Sequence, residues 1–432
     1  MESTHTESLL DGAHETAATH WILTVVHHPE PDLLGIRRVL GEDSPALLGR
    51  APRSFFPGAF ELKSISREHA EVSRRGDHVE VRDLGSHNGT TVNGSKVARA
   101  PLCAGDIVGV GDVLLLLHQG HASYAEPEHP TLRGRSWPLA RLLDQVERMA
   151  GDEENVVLVG ATGTGKELVA RALHEQSGRS GRFVAINCGG MAEGVLQSEL
   201  FGHEKGAFSG AGAERAGLVA AAAAGTLFLD EIAAASPGLQ ATLLRLLESG
   251  EYRRVGSSQV ERSSARFVAA VQPTDDPTHG LRPDLWYRLV RRRVDVPSLR
   301  DRRGDILVLA HHFAERCRGK PVRFSRRMAL ALLRHDWPGN VRELVAVVEQ
   351  AALAEGDAPV LAGTDWLPSD PAPEGGPAKR RKKAKRPDAD ELRRVLAQCE
   401  GKVSLAAETF GVGRKTVYRW AEALGVDLDR HR

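Results

Sequence analysis

Cysteine is scarce in this chain, with four in 432 residues. Cys103, Cys188, Cys317 and Cys399 stand far apart, with no CxxC and no histidine at ligand spacing. That pattern argues against a structural zinc site, and the thiols are expected to be reduced. Long apolar runs are also missing. The longest, Leu218 to Leu229, contains five consecutive alanines and falls short of the ~20 residues a membrane helix needs. The opening MESTHTESLLDGAHET is polar and acidic, which is not a secretory signal. A cytoplasmic protein without a membrane partner is expected. Net charge is absent too, with 57 basic and 57 acidic residues, so the overall balance says nothing about partners. The local balance does. Residues 379–432 hold 15 Lys and Arg against 8 Asp and Glu, and a basic tail on a neutral chain points to nucleic acid.

An apolar content of 41% supports packed cores, and the length predicts two to four domains. Residues 21–118 carry short β-type runs (WILTVV, HVEVRDL, DIVGVGDVLLLL) separated by Gly, Asn and Asp. Such spacing predicts an all-β sandwich. Its middle, APRSFFPGAFELKSI, is less regular. A linker rich in His, Pro and Glu occupies 119–136. From 137 to 300, apolar strands (NVVLVG, FVAIN, GTLFLDE, RFVAAV) alternate with helical stretches, which predicts an α/β domain with a parallel sheet between helices. Residues 301–365 read as helical. Residues 366–388 read as a basic disordered linker containing KRRKKAKR, Lys379 to Arg386; that run suits salt-dependent phosphate contacts. Residues 389–432 read as all-α, with helical periodicity broken by Gly401, Gly411 and Gly413.

The loop Gly160-Ala161-Thr162-Gly163-Thr164-Gly165-Lys166 follows the strand NVVLVG and precedes the helix ELVARALHE. In that setting glycines turn backbone N–H groups onto phosphates, the helix N-terminus favours negative charge, and Lys166 neutralises the β- and γ-phosphates. ATP is the expected ligand. Glu167 stands where the general pattern has Ser or Thr, so the hydroxyl that usually meets Mg²⁺ is missing. Asp230 and Glu231 end the apolar run GTLFL, at the strand end where such sheets bind ligands. Asp230 is expected to hold Mg²⁺ and Glu231 to polarise the attacking water.

SELFGHEKGAFSGA, Ser198 to Ala211, closely resembles the signature insertion of the bacterial enhancer-binding proteins, AAA+ ATPases that activate sigma-54 RNA polymerase. The resemblance covers roughly residues 139–361. It implies that Gly206, Ala207, Phe208, Ser209, Gly210 and Ala211 grip sigma-54, with Ser209 where the family usually has Thr. It further implies arginine fingers at Arg282 and Arg288 that reach a neighbouring subunit's γ-phosphate, and hence a ring, most simply a hexamer. Arg342 in WPGNVREL matches the sensor arginine of the helical lid, and Asn187 the residue that gates Glu231. The family commonly has Thr-Asn where this chain has Val271-Gln272, placing Gln272 at a γ-phosphate sensor.

GKVSLAAETFGVGRKTVYRWAEALGV, Gly401 to Val426, reads as two helices about a glycine turn and resembles the Fis-type helix-turn-helix that ends many of these activators. Arg414, Lys415, Thr416, Tyr418 and Arg419 on the second helix are the expected DNA contacts, reading upstream activator DNA. At the other end Gly49-Arg50, then Ser66 to His69 (SREH), then Asp83 to Gly94 (DLGSHNGTTVNG) resemble the forkhead-associated (FHA) domain, a β-sandwich that reads phosphothreonine. The match implies phosphate binding by Arg50 and Ser66, a peptide-backbone contact by Asn88, help from Arg67 and His87, and a packing role for His69. The combined expectation is a sigma-54-dependent activator that hydrolyses ATP to remodel the closed promoter complex under control of a phosphothreonine protein. The alternative is a DNA-bound adaptor whose degenerate ATPase binds nucleotide without hydrolysing it.

Overall fold

The computed structural model describes residues 19–122, 124, 126–356, 358–365 and 367. The first ten strands are β1 (His20–His27), β2 (Arg37–Val39), β3 (Ala46–Leu48), β4 (Ala70–Arg75), β5 (His78–Asp83), β6 (Thr90–Val92), β7 (Ser95–Val97), β8 (Arg99–Leu102), β9 (Ile107–Val110) and β10 (Val113–Gly120). They form two antiparallel sheets, ordered β2-β1-β10-β9-β6-β7 and β3-β4-β5-β8. The irregular middle, residues 51–65, contains no strand. It still fills the sandwich: Phe56, Ala59 and Phe60 are buried, with Phe56 and Phe60 edge-on at 5.8 Å. Aromatic burial without strand pairing is why period-two patterning fails there.

After α1 (Trp137–Ala150), the α/β domain carries β11 (Val156–Val159), α2 (Lys166–Gln176), β12 (Phe183–Asn187), α3 (Glu193–Phe201), α4 (Leu218–Ala221), β13 (Thr226–Asp230), α5 (Pro237–Ser249), β14 (Arg266–Val271), α6 (Pro283–Leu289) and β15 (Arg292–Asp295). The five strands are parallel, in the order β12-β13-β14-β11-β15. Every residue of β11 and β14 is buried, as expected of central strands covered on both faces. The edge strand β15 is an addition to the sequence reading. Three of its four residues are charged, Arg292, Arg293 and Asp295, and only Val294 is buried, so it carries almost no apolar signal. Charged side chains on an edge also discourage pairing with other chains.

Helix ends follow local chemistry. Ser236 Oγ accepts the N–H of Leu239 at 3.2 Å ahead of α5, and Gly250 ends that helix at φ +71°. The lid comprises α7 (Ile306–Arg318), α8 (Arg326–Arg334) and α9 (Asn340–Ala354) around the buried Trp337. The linker is tied down at its end. Asp305, with 0% exposure, accepts the N–H groups of Arg135 at 2.6 Å and Ser136 at 2.8 Å, and the Ser136 hydroxyl at 2.6 Å. Burial raises its pKa, while nearby Arg302 and these hydrogen bonds oppose the rise. Asp305→Ala strands three donors and the buried Arg302, so a loss of about 3 kcal/mol is expected. A urea midpoint shifted by less than the equivalent of about 1 kcal/mol at unchanged m would contradict this.

Candidate functional site

The phosphate loop leaves β11 and turns into α2. Gly163 and Gly165 adopt φ +76° and +98°, left-handed values that a side chain disfavours. Gly163 is needed for a second reason: a Cβ there would lie 2.2 Å from the Gly339 carbonyl oxygen. The lid thus rests on the loop. Val341 N–H donates to Gly163 O at 3.0 Å, and Asn340 Nδ2 donates to Thr162 O at 2.9 Å. Asn340 Oδ1 accepts the N–H of Leu299 at 2.8 Å. One buried side chain therefore ties the loop to the α/β-to-lid junction. The sequence reading missed Asn340. Its signal is the WPGN turn, since the residue sits at φ +52°, which Asn tolerates better than most.

A cavity of about 360 Å³ opens there, walled by the glycine loop, Lys166, Glu167, Asp230, Glu231 and Arg342. These are residues that the sequence assigned to ATP from three separate motifs. Lys166 Nζ donates to the carbonyls of Gly160 at 2.7 Å and Ala161 at 3.0 Å. Burial pushes its pKa down, against the pull of Asp230 and Glu231. Burial likewise raises Asp230. Thr164 Oγ1 donates to Ala161 O at 2.9 Å and braces the loop. Glu167 pairs with Arg171 one turn along α2, at 3.4 Å.

Glu231 has φ +51°, a backbone conformation that costs energy in a non-glycine residue and clusters at functional sites. Its carboxylate approaches Gly189 so closely that a Cβ there would lie 2.5 Å from Oε2. Asn187 Oδ1 accepts the Gly189 N–H at 2.8 Å, and Asn187 and Asp230 are register partners on β12 and β13. Asn187 and Glu231 thus converge on one glycine, which the sequence reading did not single out.

Four residues assigned to catalysis are not among those walling the cavity: Asn187, described above, and Gln272, Arg282 and Arg288. Gln272 is exposed just beyond β14, where its carbonyl meets His279 Nδ1 at 3.1 Å. Arg282, at the start of α6, makes two hydrogen bonds to Asp284, at 3.1 and 2.7 Å. Arg288 donates to the carbonyls of Leu247 and Glu248 at the end of α5.

The Gly206 to Ala211 loop is a closed turn. Gly206 N–H donates to Ala211 O at 2.8 Å, and Ala211 N–H to Phe208 O at 3.0 Å. Phe208 is 46% exposed and lies edge-on to His203 at 5.0 Å. In the β-sandwich, Arg50, Ser66, His87 and Asn88 share one end. Arg50 Nε donates to Ile65 O at 2.5 Å, the His87 N–H to Ser66 Oγ at 3.1 Å, and Asn88 Nδ2 to Ser64 O at 2.7 Å. Arg67 is exposed beside them, its carbonyl accepting the Ala51 N–H at 2.9 Å. Buried His69 accepts the N–H of Ser66 at 3.2 Å, and its Nε2 lies 3.2 Å from Gly89 O. Burial lowers its pKa, so the neutral ring bridges the two loops. Asp83 anchors the second loop. Burial opposes its ionisation, but hydrogen bonds from Ser86, Thr90 and Gly85 hold it at about 2.

The run Lys379 to Arg386 and the expected DNA contacts Arg414, Lys415, Thr416, Tyr418 and Arg419 lie outside the described residues. Among the described residues, no helix is long and apolar enough to cross a membrane.

Residues 132–295 match the family model for the sigma-54 interaction domain, 300–382 that for the AAA+ ATPase lid domain, and 47–111 that for the FHA domain. The C4-dicarboxylate transport transcriptional regulatory protein DctD of Rhizobium meliloti is 39% identical over 71% of this chain and 67% of its own. The transcriptional regulatory protein ZraR of Escherichia coli is 38% identical over 66% of each. The chain thus spans about two thirds of the length of these relatives, and 46% of the anaerobic nitric oxide reductase transcription regulator NorR of Aeromonas hydrophila. The crystal structure of NtrX from Brucella abortus in complex with ATP is 30% identical, with a TM-score of 0.52 over 69% of this chain and 70% of that one. With the glycine loop, acidic strand end and lid arginine gathered at one cavity, these likenesses show that the chain belongs to the sigma-54 activator family of AAA+ transcriptional regulators and carries an FHA domain.

Proposed function

We propose that the chain hydrolyses ATP as a ring, most simply a hexamer, and uses the turnover to remodel the sigma-54 RNA polymerase closed promoter complex. The observation that carries this reading is the convergence of Lys166, Asp230, Glu231 and Arg342 on one cavity. Lys166 and Arg342 neutralise phosphate charge, and the loop amides orient the triphosphate. Glu231 polarises the attacking water. Mg²⁺ suits the donor set, because it is held by one or two carboxylates together with substrate phosphates. Asp230 would hold it, and the ion would supply positive charge to offset that of the triphosphate. The exposed Phe208 on a closed turn suits a grip on an apolar surface of sigma-54.

The input is a phosphothreonine protein read by Arg50, Ser66, Arg67, His87 and Asn88, where an arginine with hydroxyl and amide groups suits a dianionic phosphate. Residues 401–426, whose sequence reads as a helix-turn-helix, would hold upstream activator DNA. ATP turnover by the purified chain, followed by binding to sigma-54 in the presence of a transition-state analogue, tests the output. No turnover at any protein concentration would favour the nucleotide-binding adaptor instead. On the input side, Arg50→Ala is expected to weaken phosphothreonine-peptide binding by at least about tenfold, since a charge-assisted bond to phosphate is lost. Basal ATP turnover should stay within about twofold. Equal peptide affinity in wild type and variant would remove the input reading while leaving the ATPase reading intact.

A further inference from the structure

Strand β10 is apolar on both faces. Val113, Leu115 and Leu117 lie in the core of the sandwich, while Leu114 and Leu116 lie in a different core. A strand with one wet face alternates apolar and polar residues; a continuous apolar run marks burial on both. Here VLLLL is that run, and what covers its outer face is the ATPase lid. Val26, Ile107, Leu114 and Leu116 belong to one buried cluster with Leu299, α7 and α8.

The seam has built polar contacts as well. Arg326 Nη2 on α8 donates to Thr91 Oγ1 on β6 at 2.9 Å. Gly109 makes room for that arginine, because a Cβ there would lie 2.4 Å from Arg326 Nη2 and 2.3 Å from Thr91 Oγ1. Arg303 Nη1 donates to Gly105 O at 3.1 Å. His27 sits at the same seam, where burial, with His311, His28 and Arg326 nearby, lowers its pKa to about 4. It is therefore neutral at physiological pH and adds no charge to the apolar contact.

We infer that the FHA sandwich has a second role that needs no peptide: its outer face completes the hydrophobic core of the lid and so fixes Asn340 and Arg342 over the phosphate loop. The sandwich is then a structural layer of the ATPase as well as its input module. The route is physical and short. The seam packs on α7 and α8, α8 leads through the buried Trp337 to Asn340, and Asn340 holds Thr162 of the loop. The inference uses the ATP-site reading only through Arg342, and hydrogen exchange tests the seam with no nucleotide present.

The experiment compares the full chain with Leu116→Asp and Gly109→Ala. Leu116 faces the lid and not the sandwich core, so its replacement by a charge should open the seam. Amides of α7 and α8 should exchange at least about tenfold faster. ATP should bind at least about fivefold more weakly, the lower end of typical coupling. Amides of β4 and β5, in the opposite sheet, should keep their protection. Gly109→Ala crowds the Arg326 guanidinium and the Thr91 hydroxyl that it meets, and keeps the test decisive if the aspartate variant fails to fold. It should speed exchange in α8 by about threefold and weaken ATP binding in the same direction. Wild-type exchange in α7 and α8 in the folded variants would overturn the inference, as would loosened helices with unchanged ATP affinity.

Discussion

Glu231→Gln is expected to bind ATP within about threefold of wild type while turning it over roughly a thousandfold more slowly, because removing a general base typically costs 10²–10⁴ in rate. The amide keeps the shape of the side chain and its contact with Gly189, so the cavity should be unchanged. It cannot take on the charge that polarises water. Neighbouring Asp230 cannot stand in, since its Oδ1 accepts the Glu231 N–H at 3.0 Å and its assigned task is the metal ion. The strained backbone of Glu231, at φ +51°, supports this division, because only one of the two carboxylates is held in an energetically costly position. The measurement pairs steady-state phosphate release with an ATP titration. Turnover within tenfold of wild type would assign the water-activating role elsewhere, and a matching loss of ATP affinity would make Glu231 a binding group.

Most of the candidate nucleotide site was legible because its parts are contiguous motifs whose chemistry dictates their spacing. The glycine loop, the acidic strand end and the lid arginine each announce themselves locally, and the structure brings them to one cavity. What the sequence did not show depends on contacts between segments. Asn340 looks like a turn residue in WPGN until its amide is seen joining Thr162 to Leu299. Gly189 looks like loop filler until the Glu231 carboxylate is found in the space a Cβ there would need. The β15 edge strand hid behind its arginines. The apolar run in β10 was visible as a strand, yet its even apolarity carried a further message about a covered outer face. Reading that face required knowing which element lies on it.

A greater loss, about 10³-fold or more in kcat, is expected for Arg288→Ala, and it should be repairable by a neighbour. An arginine finger contributes 10³–10⁵ in phosphoryl-transfer rate. The two candidate fingers differ in availability. Arg282 is already engaged with the Asp284 carboxylate through both Nε and Nη2. Arg288 donates only to main-chain carbonyls, at 3.2 and 3.5 Å, and among the described residues it makes no ion pair. Its full charge is free to meet a phosphate. Tyr287 beside it is 72% exposed, so this corner faces outward. Neither arginine is among the residues walling the chain's own cavity. If the charge is delivered across a subunit boundary, mixing Arg288→Ala with Lys166→Ala should restore turnover. The first protomer offers an intact ATP site and the second an intact Arg288, so some mixed boundaries are complete. Rescue that rises with the mixing ratio would place the finger in trans. Two inactive proteins that stay inactive when mixed, under conditions where wild-type subunits exchange, would instead make Arg288 a strut for the end of α5.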